Sequence, residues 1–462
     1  MPSRQDQLHS YQYSLQRVVA ALVTHDPDPS RSPLRRAGTT ALVSLLVASL
    51  AVVGATIYGI LTGQSNVNPK DASVVFQEKG SGARYVYLKS DDKLHPVLNF
   101  TSGLLLAEGE SPKLKSIAAD KLATVGLGPT LGIPEAPDSL PDSDDLLTER
   151  WSICTDNKGE EGRPRSTLLI GDRLTDGTVA AGTGEALLVR DTAGANFLIH
   201  NNRRFFIPAD RLTATKRILG WGAQESWQVS TAWLNAVPRG ADLVPPPIPD
   251  VGDDSVVGDL KVGRLVTGPD KQVAIILSDG AADLTPVQGK LMQVAGAAAP
   301  IDLGNDFLTM PPSKTRLSDT NDPNGLPAEV PQLRGTNPGQ VCMTLPADSK
   351  SGDGIRIDPT VPAGSAVDSS GAAPSTVLAD FVHVARGKGV VAEAAASPTA
   401  PAGSGTVSVV TDTGRIYPLA DRALLTKLGY AGVKPRQIPS ELISLLPQGA
   451  SLDPARAGQS QS

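Results

Sequence analysis

The sequence predicts an α+β protein with a single N-terminal transmembrane helix, followed by an elongated exported region of four small β-hairpin/helix repeats around a central, mostly β domain. Three observations support this: an uncharged apolar run, internal sequence similarity, and two cysteines far apart in the chain. The composition fits small modules joined by turns, because 45 glycines and 38 prolines accompany an aromatic content of 4%.

The chain begins with a predicted amphipathic helix over residues 7–23, QLHSYQYSLQRVVAALV, which the prolines of HDPDP should end. Arg17 is the only lysine or arginine along this helix, so it lacks the strongly basic face of a membrane-surface helix. We therefore predict that its apolar stripe docks on a partner protein. The stripe consists of Leu8, Tyr11, Leu15, Val18 and Leu22.

The run LVSLLVASLAVVGATIYGIL, Leu42–Leu61, contains no charged residue and is long enough to cross a bilayer. A signal peptide has a shorter apolar core nearer the N-terminus, so an uncleaved anchor is favoured over a removed signal or a buried core helix. Arg31, Arg35 and Arg36 precede the run, and the next basic residue is Lys70. Because flanking basic residues stay in the cytoplasm, we predict a cytoplasmic N-terminus and an exported body.

The two cysteines, Cys154 and Cys342, both lie in the predicted exported region. In an oxidising compartment an isolated pair favours one disulfide, and two free buried thiols are the alternative. Neither cysteine has a second cysteine or a histidine at ligand spacing, which argues against a metal site.

Internal similarity predicts the repeats. The stretch from Gly405 to Pro454 matches that from Gly194 to Pro245, and fainter copies begin at Ala83 and Lys271. Each copy has two short strands around a turn and then a helical pattern, which is typical of a hairpin packed against a helix. The best-matched positions are Pro447, Gly449, Leu452 and Pro454, which correspond to Pro238, Gly240, Leu243 and Pro245.

Two further similar segments, GTGEALLVRD and GKGVVAEA, each precede a clear repeat copy, and the cysteines lie upstream of them. We infer a central domain made of two separated pieces joined by the disulfide.

The prolines of LVPPPIPDVGDDS and the stretch Ala295–Pro338 are typical of linkers. The predicted order is a cytoplasmic segment (1–38), the transmembrane helix (39–62), the first repeat (63–145), the first central piece (146–190), the second repeat (191–250), the third repeat with linker (251–335), the second central piece (336–398), the fourth repeat (399–454) and a disordered tail (455–462).

These features resemble the EccB family, a core membrane component of the type VII (ESX) secretion system. The resemblance is carried by SGARYVYLKSDDKLHPVLNFTSGLLL, LGIPEAP, WSIC and ADFVHVARGKGVV. It implies a structural and assembly subunit of the inner (plasma) membrane complex with EccC, EccD and EccE homologues, with self-association and with the body in the periplasm or cell envelope. It also points to EccC or EccD as the cytoplasmic partner of the first helix.

An alternative function is a membrane-tethered module that binds peptidoglycan or another cell-wall polymer, because repeated small domains on a stalk commonly hold glycans. Trp221, Trp227 and Trp233 fit either exposed sugar-binding platforms or core packing, and core packing is favoured. The net charge of −6 and the lack of a Lys/Arg cluster in the exported part argue against nucleic acid as a partner.

Members of the EccB family are sometimes labelled ATPases, but the sequence lacks a P-loop. A P-loop ends in Gly-Lys-Ser/Thr, whereas Lys290 is followed by leucine and Lys388 by glycine. Neither HExxH nor GxSxG stands near His95, His200 or His383. The sequence therefore predicts no enzyme activity, no catalytic or metal-binding residues and no cofactor.

Overall fold

The computed structural model describes residues 3–25, 33–62, 67–180, 184–345, 354–370, 372–373, 375–397 and 399–461. The chain divides into two compact units. The first comprises Met1–Pro96 and Lys113–Gly128, and the second comprises Val97–Pro112 and Pro129–Ser462. Helices together with five multistranded sheets confirm the predicted α+β class.

The elements follow in chain order. The N-terminal helices are α1 (Arg4–Thr24) and α2 (Pro33–Thr62). The first repeat has β1 (Val74–Glu78), β2 (Arg84–Leu88), β3 (Lys93–Pro96), α3 (Phe100–Leu106), β4 (Lys113–Ile117) and α4 (Ala119–Leu122). Then come β5 (Trp151–Asp156), β6 (Arg165–Leu169) and β7 (Thr178–Val179). The second repeat has β8 (Glu185–Arg190), β9 (Asn196–His200), β10 (Arg203–Ile207), α5 (Leu212–Ile218), β11 (Trp227–Gln228) and α6 (Thr231–Ala236).

The third repeat has β12 (Leu265–Thr267), β13 (Val273–Leu277), β14 (Gly280–Leu284), α7 (Pro286–Val294) and β15 (Ile301–Asp302). It is followed by β16 (Gln332–Leu333), β17 (Gln340–Leu345), β18 (Ile355–Ile357), β19 (Ser365–Ala366) and β20 (Phe381–His383). The fourth repeat has β21 (Val390–Ala395), β22 (Val407–Val410), β23 (Ile416–Pro418), α8 (Leu424–Lys427), β24 (Arg436–Pro439) and α9 (Ser440–Ile443), before α10 (Pro454–Ala457). Short 3₁₀ helices cover Ser143–Asp145, Glu160–Gly162, Pro269–Lys271 and Gly304–Thr309.

Four sheets share one topology. Their strand orders are β3-β2-β1-β4, β10-β9-β8-β11, β14-β13-β12-β15 and β23-β22-β21-β24. In each, three antiparallel strands are followed along the chain by a helix and by a fourth strand that pairs in parallel with the first. The sequence pattern predicted only the second and third strands and the helix. The structure adds a first and a fourth strand to every repeat.

The added first strands move two predicted domain boundaries. The sequence pattern places GTGEALLVRD and GKGVVAEA in the central pieces, but β8 lies within the first segment and β21 begins in the second. These two strands are the first strands of the second and fourth repeats. The second repeat therefore begins at Glu185 rather than at 191, and the fourth at Val390 rather than at 399. Each strand contains four consecutive buried residues, Ala186–Val189 in β8 and Val390–Glu393 in β21, so neither shows the alternation of buried and exposed residues that marks a hairpin strand.

The stretch Ala295–Pro338 is more than a linker. It contains β15, which pairs with β12, and β16, which pairs in parallel with β8 of the second repeat. It also closes the third repeat, because Ala281 N donates to Pro311 O and Ser313 N donates to Ala281 O, each at 2.8 Å. The third repeat therefore ends near Ser313.

Two of the best-matched positions of the second and fourth repeats are the proline and glycine of a Pro-x-Gly segment, Pro238–Gly240 and Pro447–Gly449. This segment, here called the closing motif, pairs with the third strand of its repeat. In the second repeat, Arg204 N donates to Pro238 O and Gly240 N donates to Arg204 O, both at 2.9 Å. A Cβ atom at Gly240 would lie 2.4 Å from the ring of Phe205. The glycine is therefore required because an aromatic ring covers it.

The other repeats keep this backbone pairing. In the fourth repeat, Gly449 N donates to Ile416 O at 2.8 Å, and a Cβ atom at Gly449 would lie 2.3 Å from the ring of Tyr417. In the first repeat, a Cβ atom at Gly128 would lie 2.3 Å from the His95 ring. The third repeat has no ring, since Ala282 stands at that position and Ser313 replaces the glycine.

Two aromatic side chains that follow helices, Trp221 and Tyr430, each donate a hydrogen bond to a segment outside their own repeat. Trp221 Nε1 donates to Pro331 O at 2.9 Å, just before β16. Tyr430 Oη donates to Pro141 O at 2.8 Å, and burial raises the pKa of this phenol above its usual range. Each aromatic follows a glycine with a positive φ, Gly220 or Gly429, which ends the preceding helix.

The central sheet draws strands from both predicted pieces. Its order is β19-β20-β6-β5-β17-β18-β7, so β5 and β17 are adjacent in the middle. One face packs in a large apolar core with Trp151, Ile153 and Met343. On the other face Cys154, Leu169 and Cys342 form a small cluster.

The C-terminal tail was predicted to be disordered, and this prediction is wrong for residues up to Gln461. Helix α10 follows Asp453, whose side chain accepts a hydrogen bond from Ala455 N, and Ala457 is buried. Ser460 bridges Leu131, and Gln461 N donates to Thr130 O at 3.0 Å. The tail is ordered by the packing of α10 on α3 and by backbone pairing to residues 130–131. Both partners are distant in the sequence, so the polar composition of the tail does not reveal them.

Candidate functional site

Helix α1 presents the predicted apolar stripe to solvent. It begins at Arg4 rather than at residue 7 because Ser3 and Asp6 form a capping box, with Asp6 N donating to Ser3 Oγ at 3.2 Å. The exposed fractions of the stripe are 55% at Leu8, 67% at Tyr11, 50% at Leu15, 59% at Val18 and 72% at Leu22. Ala20, on the opposite side of the helix, is 3% exposed. The stripe is thus uncovered and stays a predicted docking surface.

Helix α2 has the length and composition of a membrane span. Residues Gly38–Gly59 have a mean hydropathy of 2.2, and it is the one helix among the described residues that meets the criteria for a span. The hydroxyls of Ser49 and Thr56 donate to Leu45 O at 2.8 Å and Val52 O at 2.7 Å. These polar groups are satisfied within the helix, as a hydrocarbon environment requires.

The arginines that predict the orientation of α2 are only partly described. Arg31 lies outside the described residues. Arg35 and Arg36 belong to the first turns of α2, but their side chains lie outside what the structure describes. The orientation therefore stays a prediction from the sequence.

The two cysteines lie opposite each other in the central sheet. Cys154 in β5 pairs with Cys342 in β17, and a disulfide joins them across 188 positions of sequence. Their exposed fractions are 1% and 0%. The bond therefore joins the two separated pieces of the central sheet where their strands are adjacent.

The other candidate groups have structural roles. His95 is buried, and its Nε2 lies 3.0 Å from Asp91 Oδ2. Two loop aspartates form ion pairs: Asp145 pairs with Lys388 at 2.6 Å, and Asp254 pairs with Lys261. Among the described residues, no group of three or more histidine, cysteine, aspartate or glutamate side chains is arranged to hold a metal ion.

The three regularly spaced tryptophans are core residues. The exposed fractions are 7% for Trp221, 6% for Trp227 and 0% for Trp233. Their rings are therefore not available as stacking platforms for a sugar, which removes one support for the cell-wall-binding alternative.

A cleft of about 480 Å³ lies beside the β9–β10 turn, between His200 and the segment Pro327–Gln332. Burial lowers the pKa of His200, although a contact of its Nδ1 with Glu185 O at 3.2 Å opposes this shift. Burial therefore favours the neutral imidazole. Among the residues that line the cleft, Glu329 is the other titratable group, and none is a serine, threonine, cysteine or lysine that could act as a nucleophile.

Glu393 is a buried charge that was not singled out from the sequence. Its carboxylate accepts hydrogen bonds from Gly403 N at 2.6 Å and Gly405 N at 3.1 Å, and it pairs with Arg422. Burial raises the pKa of Glu393, but these hydrogen bonds outweigh burial and hold the pKa below its usual value. The residue orders the long β21–β22 connection. Its signal in the sequence is a lone glutamate in the apolar strand VVAEAA.

Comparison with known proteins gives a match along the chain. Residues 1–461 match the family described as "Type VII secretion system ESX-1, transport TM domain B". The chain is 26% identical over 488 residues to the "ESX-5 secretion system ATPase EccB5" of Mycobacterium marinum, covering 98% of this chain and 93% of the relative. It is 25% identical over 490 residues to the "ESX-3 secretion system ATPase EccB3" of Mycobacterium tuberculosis, covering 98% and 88%.

Solved structures share the fold. A chain of an intact ESX-5 inner membrane complex aligns with a TM-score of 0.66 and 21% identity, covering 100% of this chain and 96% of that chain. An EccB3 dimer from the ESX-3 core complex aligns with a TM-score of 0.62 and 23% identity, covering 84% and 100%.

Proposed function

We propose that this chain, which belongs to the EccB family of type VII secretion components, is a structural and assembly subunit of an ESX inner membrane complex. The observation that carries the proposal is the family match along residues 1–461, which includes the membrane helix as well as the repeats. In this role α2 anchors the chain, the repeats and central sheet form the envelope-side scaffold, and α1 docks on a cytoplasmic partner. The partners are EccC, EccD and EccE homologues and a second copy of the chain.

The stripe on α1 provides the test of the assembly role. Burying a leucine side chain contributes about 1.5–3 kcal/mol, so Leu15→Asp with Leu22→Asp should weaken docking into an apolar groove strongly. We expect a several-fold loss of complex on native gels of solubilised membranes, with the chain itself still present in the membrane.

The matched control adds the same two carboxylates to the opposite side of α1, as His9→Asp with Tyr13→Asp. Both positions are exposed and lie away from the stripe. The control should assemble normally. Normal assembly and secretion by the stripe variant would show that α1 is not the docking element.

We propose that the N-terminus is cytoplasmic and the body lies in the periplasm or cell envelope, because Arg31, Arg35 and Arg36 precede the apolar run. A reporter that is active only in the cytoplasm should be silent when fused after Ser462 and active when fused before Met1. Activity of the C-terminal fusion would contradict this orientation.

We propose that the subunit is a scaffold without ATPase activity, although the names of its relatives include the word ATPase. Support comes from the missing P-loop at Lys290 and Lys388. The purified full chain should hydrolyse ATP no faster than a mock preparation. Turnover above this background that is lost on Lys290→Ala or Lys388→Ala would overturn the proposal.

A further inference from the structure

Two arginines stand opposite each other at the closing motif of the second repeat. Arg204 on β10 forms a parallel bridge with Arg239, the middle residue of that motif. The equivalent bridges of the other repeats join uncharged residues, so the repeat fold does not require charge at these positions. These pairs are Leu94 with Leu127, Ala281 with Pro312 and Ile416 with Gln448.

Like charges directly opposite each other destabilise a sheet, and the surroundings compensate this pair only incompletely. Asp242 Oδ1 accepts from Arg239 Nη2 at 2.8 Å, and Asn235 Oδ1 accepts from Arg204 Nη1 at 3.2 Å. A third arginine, Arg203, donates to Arg239 O at 3.3 Å and adds further positive charge. Burial and the charge of Arg239 both lower the pKa of Arg204.

One hydrogen-bond donor of the Arg204 guanidinium lacks an acceptor among the described residues. Its Nε atom is buried and, within the described residues of the chain, has no hydrogen-bond partner. The Arg204 Cζ atom lies 6.0 Å from the centroid of the Phe197 ring, so the aromatic face supports the cation. A buried N–H donor without an acceptor is costly. The Nε atom is enclosed where it lies, so an anion would supply the missing acceptor once the Arg204 side chain shifts toward it.

We propose that Arg204 and Arg239 form an anion-binding site in the second repeat, which takes a carboxylate or phosphate group. Guanidinium donors match the paired oxygens of such groups, and these charge-assisted hydrogen bonds are strong. The bound anion would offset the repulsion between the two arginines. The internal comparison sets this repeat apart from the other three, and the site does not depend on the proposed assembly role.

Inorganic phosphate and acetate are the probes, compared with chloride at constant ionic strength. Three of the four tryptophans, Trp221, Trp227 and Trp233, lie in this repeat, so thermal unfolding followed by tryptophan fluorescence reports on it. We expect one or both probes to raise the melting temperature of the full chain by about 2 °C at a concentration ten times the dissociation constant. The probe with the larger shift identifies the preferred anion.

The decisive variant is Arg204→Ile with Arg239→Gln, which installs the pair found in the fourth repeat. We expect it to melt in chloride no lower than the wild type and to lose the response to the probe. Arg239→Gln alone should also lose the response and serves if the double variant does not fold. Arg386→Gln, at an exposed position outside the repeat, should respond as the wild type does.

Three outcomes would overturn the site. A wild type that responds to neither probe has no such site. An equal response in the wild type and in both site variants would show a general salt effect. A melting temperature in chloride several degrees lower for both site variants would show that the arginines are structural.

Discussion

Full-length protein with Cys154→Ala and Cys342→Ala is expected to lose about 2–5 kcal/mol of unfolding free energy. The disulfide closes a loop of 188 positions and so restrains the unfolded chain strongly. It also joins β5 and β17, the two central strands that come from separate regions of the sequence. Denaturant titration of the protein in detergent, followed by tryptophan fluorescence, measures the change.

A reducing agent provides the matched control for this variant. It should shift the unfolding midpoint of the wild type to that of the variant and leave the variant unchanged. Peptide mapping without reduction should recover the peptides of Cys154 and Cys342 linked. Two freely alkylated thiols in the unreduced protein would contradict the disulfide and, with it, the covalent link between β5 and β17.

The sequence allowed features with a strong local or repeated signal to be predicted. The uncharged run from Leu42 needs only hydropathy and length. The closing motif was found because Pro238 and Gly240 recur at the same spacing as Pro447 and Gly449. The structure explains that recurrence, since the glycine is required by a ring on the third strand.

Short or nonlocal features could not be predicted. The fourth strands of the second and third repeats, β11 and β15, have two residues each, too few for an alternating pattern. β16 pairs with β8 from a proline-rich stretch that has no apolar pattern. The closeness of Arg204 and Arg239 likewise depends on the parallel bridge and not on a local motif.

Gly449→Ala is expected to destabilise the fourth repeat by about 1–3 kcal/mol, the usual cost of overpacking a filled site. The new methyl group would lie 2.3 Å from the ring of Tyr417. This ring is 5% exposed and therefore has little room to move away. Gly335→Ala is the control, because no atom lies within 4 Å of a Cβ there, and it should change stability by less than about 0.5 kcal/mol.

A double-mutant cycle with Tyr417→Ala tests whether the ring is the cause. Tyr417→Ala is itself costly because it empties a buried position. In that background, however, Gly449→Ala should cost close to nothing, since the methyl group then has space. The third repeat already shows such a combination, with Ala282 at the ring position and Ser313 in place of the glycine. An undiminished cost of Gly449→Ala in the Tyr417→Ala background would mean that backbone geometry, and not the ring, requires glycine.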